Sequence, residues 1–149
     1  LADDLLARPA VVGAPAPPRR RVRRGQMTER MLMAVASPHV DILGHCTGRM
    51  IGKRPPSEFD ADYVFAACAQ FHTAVEINCR PERLDPPREL LATAIEYGCW
   101  FSIDSDAHAT GQLEWQPHGC NRAAECYVPI ERIINTMSAD DLLAWTAGN

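Results

Sequence analysis

Residues 40–49 read Val40-Asp41-Ile42-Leu43-Gly44-His45-Cys46-Thr47-Gly48-Arg49. Val40, Ile42 and Leu43 form an apolar run too short for a helix, and it stops at a glycine and a histidine. The stretch therefore predicts a buried strand over 40–44 that delivers polar residues at its C-terminal end. Upstream, Thr28 is placed to cap a helix with the apolar stripe Met31, Leu32 and Val35, which Ser37-Pro38 ends. The same helix-then-strand unit recurs twice downstream. Asp60 opens a helix through Tyr63, Val64, Ala67, Cys68 and Phe71, followed by the strand Ala74-Val75-Glu76-Ile77. Pro86 and Pro87 open another through Leu90, Leu91, Ala94 and Ile95, stopped by Gly98 and followed by the strand Cys99-Trp100-Phe101-Ser102-Ile103. Alternation of this kind predicts an α/β fold with a parallel sheet. Towards the end, Arg122 to Cys126 predict a short helix, Ile133-Ile134 a last short strand, and Ser138 a cap for a helix through Leu142, Leu143 and Trp145.

Each predicted strand ends in polar residues. The first gives His45, Thr47 and Arg49, the second Glu76 and Asn78, the third Asp104, Ser105, Asp106 and His108. Ligands and catalytic groups gather at the C-terminal edge of parallel β/α folds because the loops there are free to carry them. Asp106-Ala107-His108 places a carboxylate and an imidazole two residues apart, both ligands for Zn, Mn or Fe. Taken singly, Asp106 could be a turn residue bonding its own backbone, His108 an exposed loop residue, and His45 a satisfied core histidine. Glu76, between Val75 and Ile77, would be costly to bury ionised without a metal or an arginine partner, unless it faces solvent.

Composition narrows the class. Residues 1–25 hold six Arg and two Asp, whereas residues 26–149 hold nine basic and seventeen acidic side chains. The body is acidic, so a broad nucleic-acid-binding face is not expected. No window approaches a membrane span and no secretory signal opens the chain, which predicts a cytoplasmic protein without a membrane partner. The six cysteines include no C-x-x-C pair and read as reduced, buried thiols. Pro9, Pro15, Pro17, Pro18 and the run Arg19 to Arg24 show no apolar period, so residues 1–25 are expected to be disordered or poorly packed.

In order and context these motifs resemble the PHP (polymerase and histidinol phosphatase) family. Residues 40–49 resemble its "DILGHPTGR" stretch, Val75-Glu76-Ile77-Asn78 through Arg83-Leu84-Asp85 its "LEINxxPxRLD", and Ser102 to His108 its "ISTDAH". The resemblance narrows to the domain at the C-terminus of bacterial family X DNA polymerases and its free-standing relatives, and it covers residues 26–149. It implies the C-terminal part of a distorted (β/α)7 barrel and a phosphoesterase with a three-metal cluster of Zn or Mn. Of the nine ligands, it implies that His45, Asp106 and His108 are three, each on a different metal and each catalytic. It further suggests Arg49, Arg83, Glu76 and Asn78 as substrate-binding residues, although either arginine could equally serve a structural ion pair. The implied partner is a phosphoester substrate, such as a DNA 3′ end. A small-molecule phosphatase of the histidinol-phosphatase type and a non-catalytic remnant stay open as alternatives. Oligomeric state is not legible.

The departures matter too. The other ligands of the pattern would lie before residue 1 or shortly before Gln26, yet no histidine precedes His39. Residues 26–149 are therefore expected to be the C-terminal half of a domain. The Pro/Arg-rich stretch before them reads as an out-of-frame segment or, on the rival reading, a basic linker. Cys46 stands where the pattern has proline, which alters loop rigidity and removes no ligand.

Overall fold

Met27, Met31 and Val35 stand four residues apart, which puts them on one helical face. In the computed structural model of the protein each is at most 2% exposed. The structure describes residues 13–15, as backbone alone, and residues 23–148. Strands β1 (Gly13–Pro15), β2 (Ile42–Gly44), β3 (Ala74–Asn78) and β4 (Phe101–Asp104) form one parallel sheet in chain order. Between them run α1 (Arg24–Val35), α2 (Ala61–Gln70) and α3 (Arg88–Glu96), and after β4 come α4 (Gln116–Glu125) and α5 (Ala139–Thr146). The fold is α/β with a small parallel sheet, as the recurring unit predicts.

The expectation for residues 1–25 falls, at 1–12 and 16–22, outside the described residues. Gly13–Pro15 form a strand paired with β2, an element the apolar pattern does not reveal because three residues are too few to show a period. Helix α1 begins at Arg24. Thr28 lies one turn inside it and does not cap it: its hydroxyl donates to the Arg24 carbonyl at 2.9 Å and accepts from the Asp60 N–H at 2.8 Å. Asp60 caps α2 as expected, through a 3.5 Å bond from Tyr63 N–H. Of the residues that mark this helix in the sequence, Val64, Ala67 and Cys68 are buried, with Phe65, whereas Tyr63 and Phe71 are exposed. Gly98, at φ +72°, ends α3 and donates to the Ile95 carbonyl at 2.9 Å.

All five residues of β3 are buried, which requires cover on both faces of the sheet. Phe65, Phe101, Leu43, Ile77 and Leu91 fill the core, each contributing about 1.5–3 kcal/mol by burial. Helix α4 packs against β3 and β4 at Gly119, where an added Cβ would lie 2.3 Å from Cys79 Sγ. The strand predicted at Ile133-Ile134 is not formed. Ile133 makes a single bridge to Phe101 between two single-turn 3-10 helices, Ile130–Arg132 and Ile134–Thr136. Asn135 does the work of a strand there: its Oδ1 accepts from Ile103 N–H at 2.7 Å and its Nδ2 donates to Ile103 O at 3.0 Å. Ser138 caps α5 as expected. Among the described residues no helix is long and apolar enough to cross a membrane.

Candidate active site at the C-terminal strand edge

The register sets the site. Ile42 and Leu43 pair with Ala74 and Val75, so His45, just past the end of β2, arrives beside Glu76 on β3. Its backbone N–H donates to Glu76 Oε2, and its Nδ1 lies 3.4 Å from the same oxygen. Asn78 Nδ2 donates to that oxygen at 3.3 Å. Glu76 is buried, and a strand-end N–H and an amide donate to it, with the His45 imidazole 3.4 Å away. Asn78 pairs in register with Asp104, which carries the edge across to β4. Asp104 accepts from the Ser102 hydroxyl at 2.6 Å. Burial holds its carboxyl above the ordinary range, the Ser102 hydroxyl pulls the other way, and the Glu76 charge adds to the rise.

Two residues on, Asp106 meets Arg83. The guanidinium Nε donates to Asp106 Oδ2 at 3.0 Å, with both side chains 15% exposed. His108, well exposed, turns its Nδ1 to the Asp106 carbonyl at 2.8 Å, 4.0 Å from the Asp106 carboxylate. His45 and Asp106 both have positive φ, +28° and +55°, a conformation uncommon for residues with a side chain. Two of the residues singled out from sequence therefore sit on strained backbone directly beyond a strand, where such strain clusters at functional sites.

Arg49 and Arg83 interlock. Arg49 Nε donates to the Arg83 carbonyl at 2.6 Å and its Nη2 to the Leu84 carbonyl, while Arg83 Nη1 reaches the Arg49 carbonyl at 3.5 Å. Asp85, which sequence reasoning did not single out, organises the loop. Fully buried, it accepts from Thr47 N–H at 3.1 Å, Thr47 Oγ1 at 2.7 Å and Gly48 N–H at 3.0 Å. Burial raises its carboxyl above the usual range; the Thr47 hydroxyl, the Thr47 N–H and the Arg49 charge pull it back. The signal for it lay in its neighbours: a carboxylate between Leu84 and Pro86-Pro87 needs a donor set to be tolerated. Arg122 on α4 donates to the Pro86 carbonyl at 2.7 Å from a buried position, and its Nε has no partner among the described residues.

The donors suit Zn or Mn by chemistry but not by number. They stand as the pairs His45–Glu76 and Asp106–His108, and among the described residues no three His, Cys, Asp or Glu are grouped to hold an ion. The described residues do not by themselves furnish a complete metal site. Its cysteines do not change this: none forms a disulfide and four are buried, with burial pushing the Cys79 and Cys99 thiols up to about 12.

No family model matches the chain. A "DNA polymerase/3'-5' exonuclease PolX" of Bacillus subtilis (strain 168) is 32% identical to it over 147 residues, which cover 99% of the chain. The chain is related to this protein. It spans about a quarter of that relative's length, 26%. The matched stretch takes in most of residues 1–25, so the Pro/Arg-rich run lies within it.

Proposed function

We propose that the chain is the C-terminal part of a PHP-type barrel and contributes to a metal-dependent phosphoesterase acting on DNA 3′ ends. One observation carries the reading: His45 and Glu76, then Asp106, His108 and Arg83, stand along the C-terminal edge of three consecutive parallel strands. Relation to a polymerase/exonuclease supports it. On this reading His45, Asp106 and His108 are three of the ligands of a Zn or Mn cluster, which would supply an activated water and stabilise charge on the phosphate. The remaining ligands come from a polypeptide segment other than the described residues.

The roles of the chain's own groups follow from their contacts. Glu76 orients His45 through its ring and its backbone N–H. Arg83 fixes the position of the Asp106 carboxylate through a 3.0 Å contact, and Arg49 ties the two loops together through main-chain carbonyls. Asp85 sets the conformation of the Thr47-Gly48 turn behind His45.

The test is hydrolysis of a chromogenic phosphomonoester and of a 3′-labelled oligonucleotide with Mn²⁺ or Zn²⁺. The chain alone is compared with the chain joined to the preceding portion of its Bacillus relative. Activity of the joined protein on the oligonucleotide, lost in Asp106→Ala, is the expected result. Inactivity of the joined protein on both substrates would sink the proposal. Preference for the monoester would favour the small-molecule reading.

A further inference from the structure

Beyond Arg49 the chain makes a tight turn that the hydrolytic edge does not require. Residues 49–56 read Arg49-Met50-Ile51-Gly52-Lys53-Arg54-Pro55-Pro56. Met50 N–H donates to the Arg54 carbonyl at 2.9 Å and Arg54 N–H to the Met50 carbonyl at 2.7 Å, closing a miniature hairpin around Gly52 at φ +74°. Ile51 N–H donates to the Glu82 carbonyl at 2.6 Å and pins the turn against the segment that carries Arg83. These eight residues alone line a cleft of about 460 Å³, which holds three cationic side chains and no acidic one.

A short charge run is ordinarily a solvated surface, and three features set this one apart. The turn is ordered by its own backbone bonds, so Lys53 and Arg54 are presented from a fixed frame. Both are exposed, and among the described residues no hydrogen bond or ion pair engages either side chain. Glu82, whose carboxylate feels the charge of Lys53, is already served: it accepts from Arg80 at 3.2 Å. Finally, the cations stand beside the candidate site. Arg83 contacts the Arg49 carbonyl at one end and Asp106 at the other, so a single side chain separates the turn from Asp106.

The geometry points to the turn 49–54 as a grip for the phosphodiester backbone of a substrate strand, next to the phosphate that is hydrolysed. This rests on the phosphoesterase reading and deepens it by assigning the place where the strand behind the 3′ end is held. Lys53 and Arg54, unengaged in an open cleft beside the site, suit the backbone phosphates of a strand that runs past it. Such contacts position a strand without reading its sequence, and they contribute through counterion release. The acidic body is then no obstacle, because a local basic turn and not a broad face meets the strand.

The experiment is fluorescence anisotropy of a fluorescein-labelled oligothymidylate with the whole 149-residue chain in EDTA, over a series of salt concentrations. Binding without metal separates this inference from the hydrolysis test. Lys53→Gln and Arg54→Gln should each weaken binding several-fold and make the log–log salt dependence shallower by about 0.7. Arg30→Gln, which removes an exposed cation of α1, should leave the slope unchanged, and the Arg19–Arg24 run is common to all the proteins compared. Thermal midpoints should agree, since all three side chains are exposed. Three results would overturn the inference: no binding by the parent chain, equal slopes for the parent and the Lys53→Gln/Arg54→Gln double variant, or the same loss from Arg30→Gln. Displacement of the oligonucleotide by inorganic phosphate at equal phosphate concentration would also overturn it, by showing a single-phosphate subsite.

Discussion

The carboxylate of Asp85 holds Thr47 twice, by its backbone N–H at 3.1 Å and by its hydroxyl at 2.7 Å, across 38 residues of sequence. The contact joins the loop after β2 to the loop after β3, and it lies directly behind His45. It explains how a short loop can hold His45 at φ +28°. The strain of that residue is offset by a buried carboxylate whose oxygens are occupied by the loop's own donors.

Removing that carboxylate should therefore be costly. Asp85→Ala leaves the buried N–H and hydroxyl of Thr47 without this acceptor, at about 1–3 kcal/mol for each unsatisfied group, whereas the Gly48 N–H keeps the His45 carbonyl at 2.7 Å. A loss of about 3–5 kcal/mol in urea unfolding is expected, with Thr47→Val costing less because the backbone donors remain satisfied. A change below about 1 kcal/mol for Asp85→Ala would show that water replaces the carboxylate.

The same group predicts a pH dependence of defined sign. Burial raises the Asp85 pKa in the folded protein above the ordinary value of 3.8. In the window from that value up to the raised one, the folded state binds more protons than the unfolded state. Stability from this group is complete below the unfolded pKa and falls as pH rises through the folded pKa. Asp85→Asn abolishes this contribution, so the difference in unfolding free energy, parent minus variant, should decline across that window. Urea unfolding at several acidic pH values measures it, and an increasing difference would contradict the assignment.

Much of this was legible in the sequence, and the reasons for the rest are physical. Residues 40–44, 74–77 and 99–103 gave the strands because buried parallel strands are continuous apolar runs. His45, Glu76, Asp106 and His108 were legible because the edge of such a sheet collects polar residues. Asn135 was not, since a side chain that replaces a strand's hydrogen bonds has no periodicity to announce it. Tyr63 and Phe71 mark the helix in the sequence without marking its buried face, because an aromatic residue at helical spacing can lie outside the buried stripe. Asp85 escaped attention because its partners come from a distant loop.

Helix α4 offers a packing test. An alanine at Gly119 would bring its Cβ to 2.3 Å from Cys79 Sγ and 2.7 Å from Ile103 Cγ2. Overpacking of this kind costs about 1–3 kcal/mol, against about 1 kcal/mol gained in helix propensity. Gly119→Ala should thus lower stability, by up to about 2 kcal/mol. Adding Cys79→Ala, which removes the closer atom, should recover part of that loss, and a double variant no better than the sum of the single changes would contradict the contact.

Arg83 and Asp106 provide the last test, which separates a structural pair from a substrate-binding arginine. Their 3.0 Å contact has both side chains 15% exposed, so solvent screens it only in part. Arg83 also touches the Arg49 carbonyl, and Arg49 returns a bond to the Arg83 carbonyl at 2.6 Å. A guanidinium engaged on two sides is held in place, and lysine, with one compact ammonium, cannot span the same two acceptors. Arg83→Lys should therefore cost about 1–2 kcal/mol. A double-mutant cycle of Arg83→Gln and Asp106→Asn should return a coupling energy within about 0.5–3 kcal/mol, the range for groups in direct contact. Four urea unfolding curves give the value. A coupling near zero would mean that the pair opens freely in solution, leaving Arg83 available to a substrate phosphate. A large one would mean that Arg83 serves Asp106 first and that phosphate binding falls to other cations.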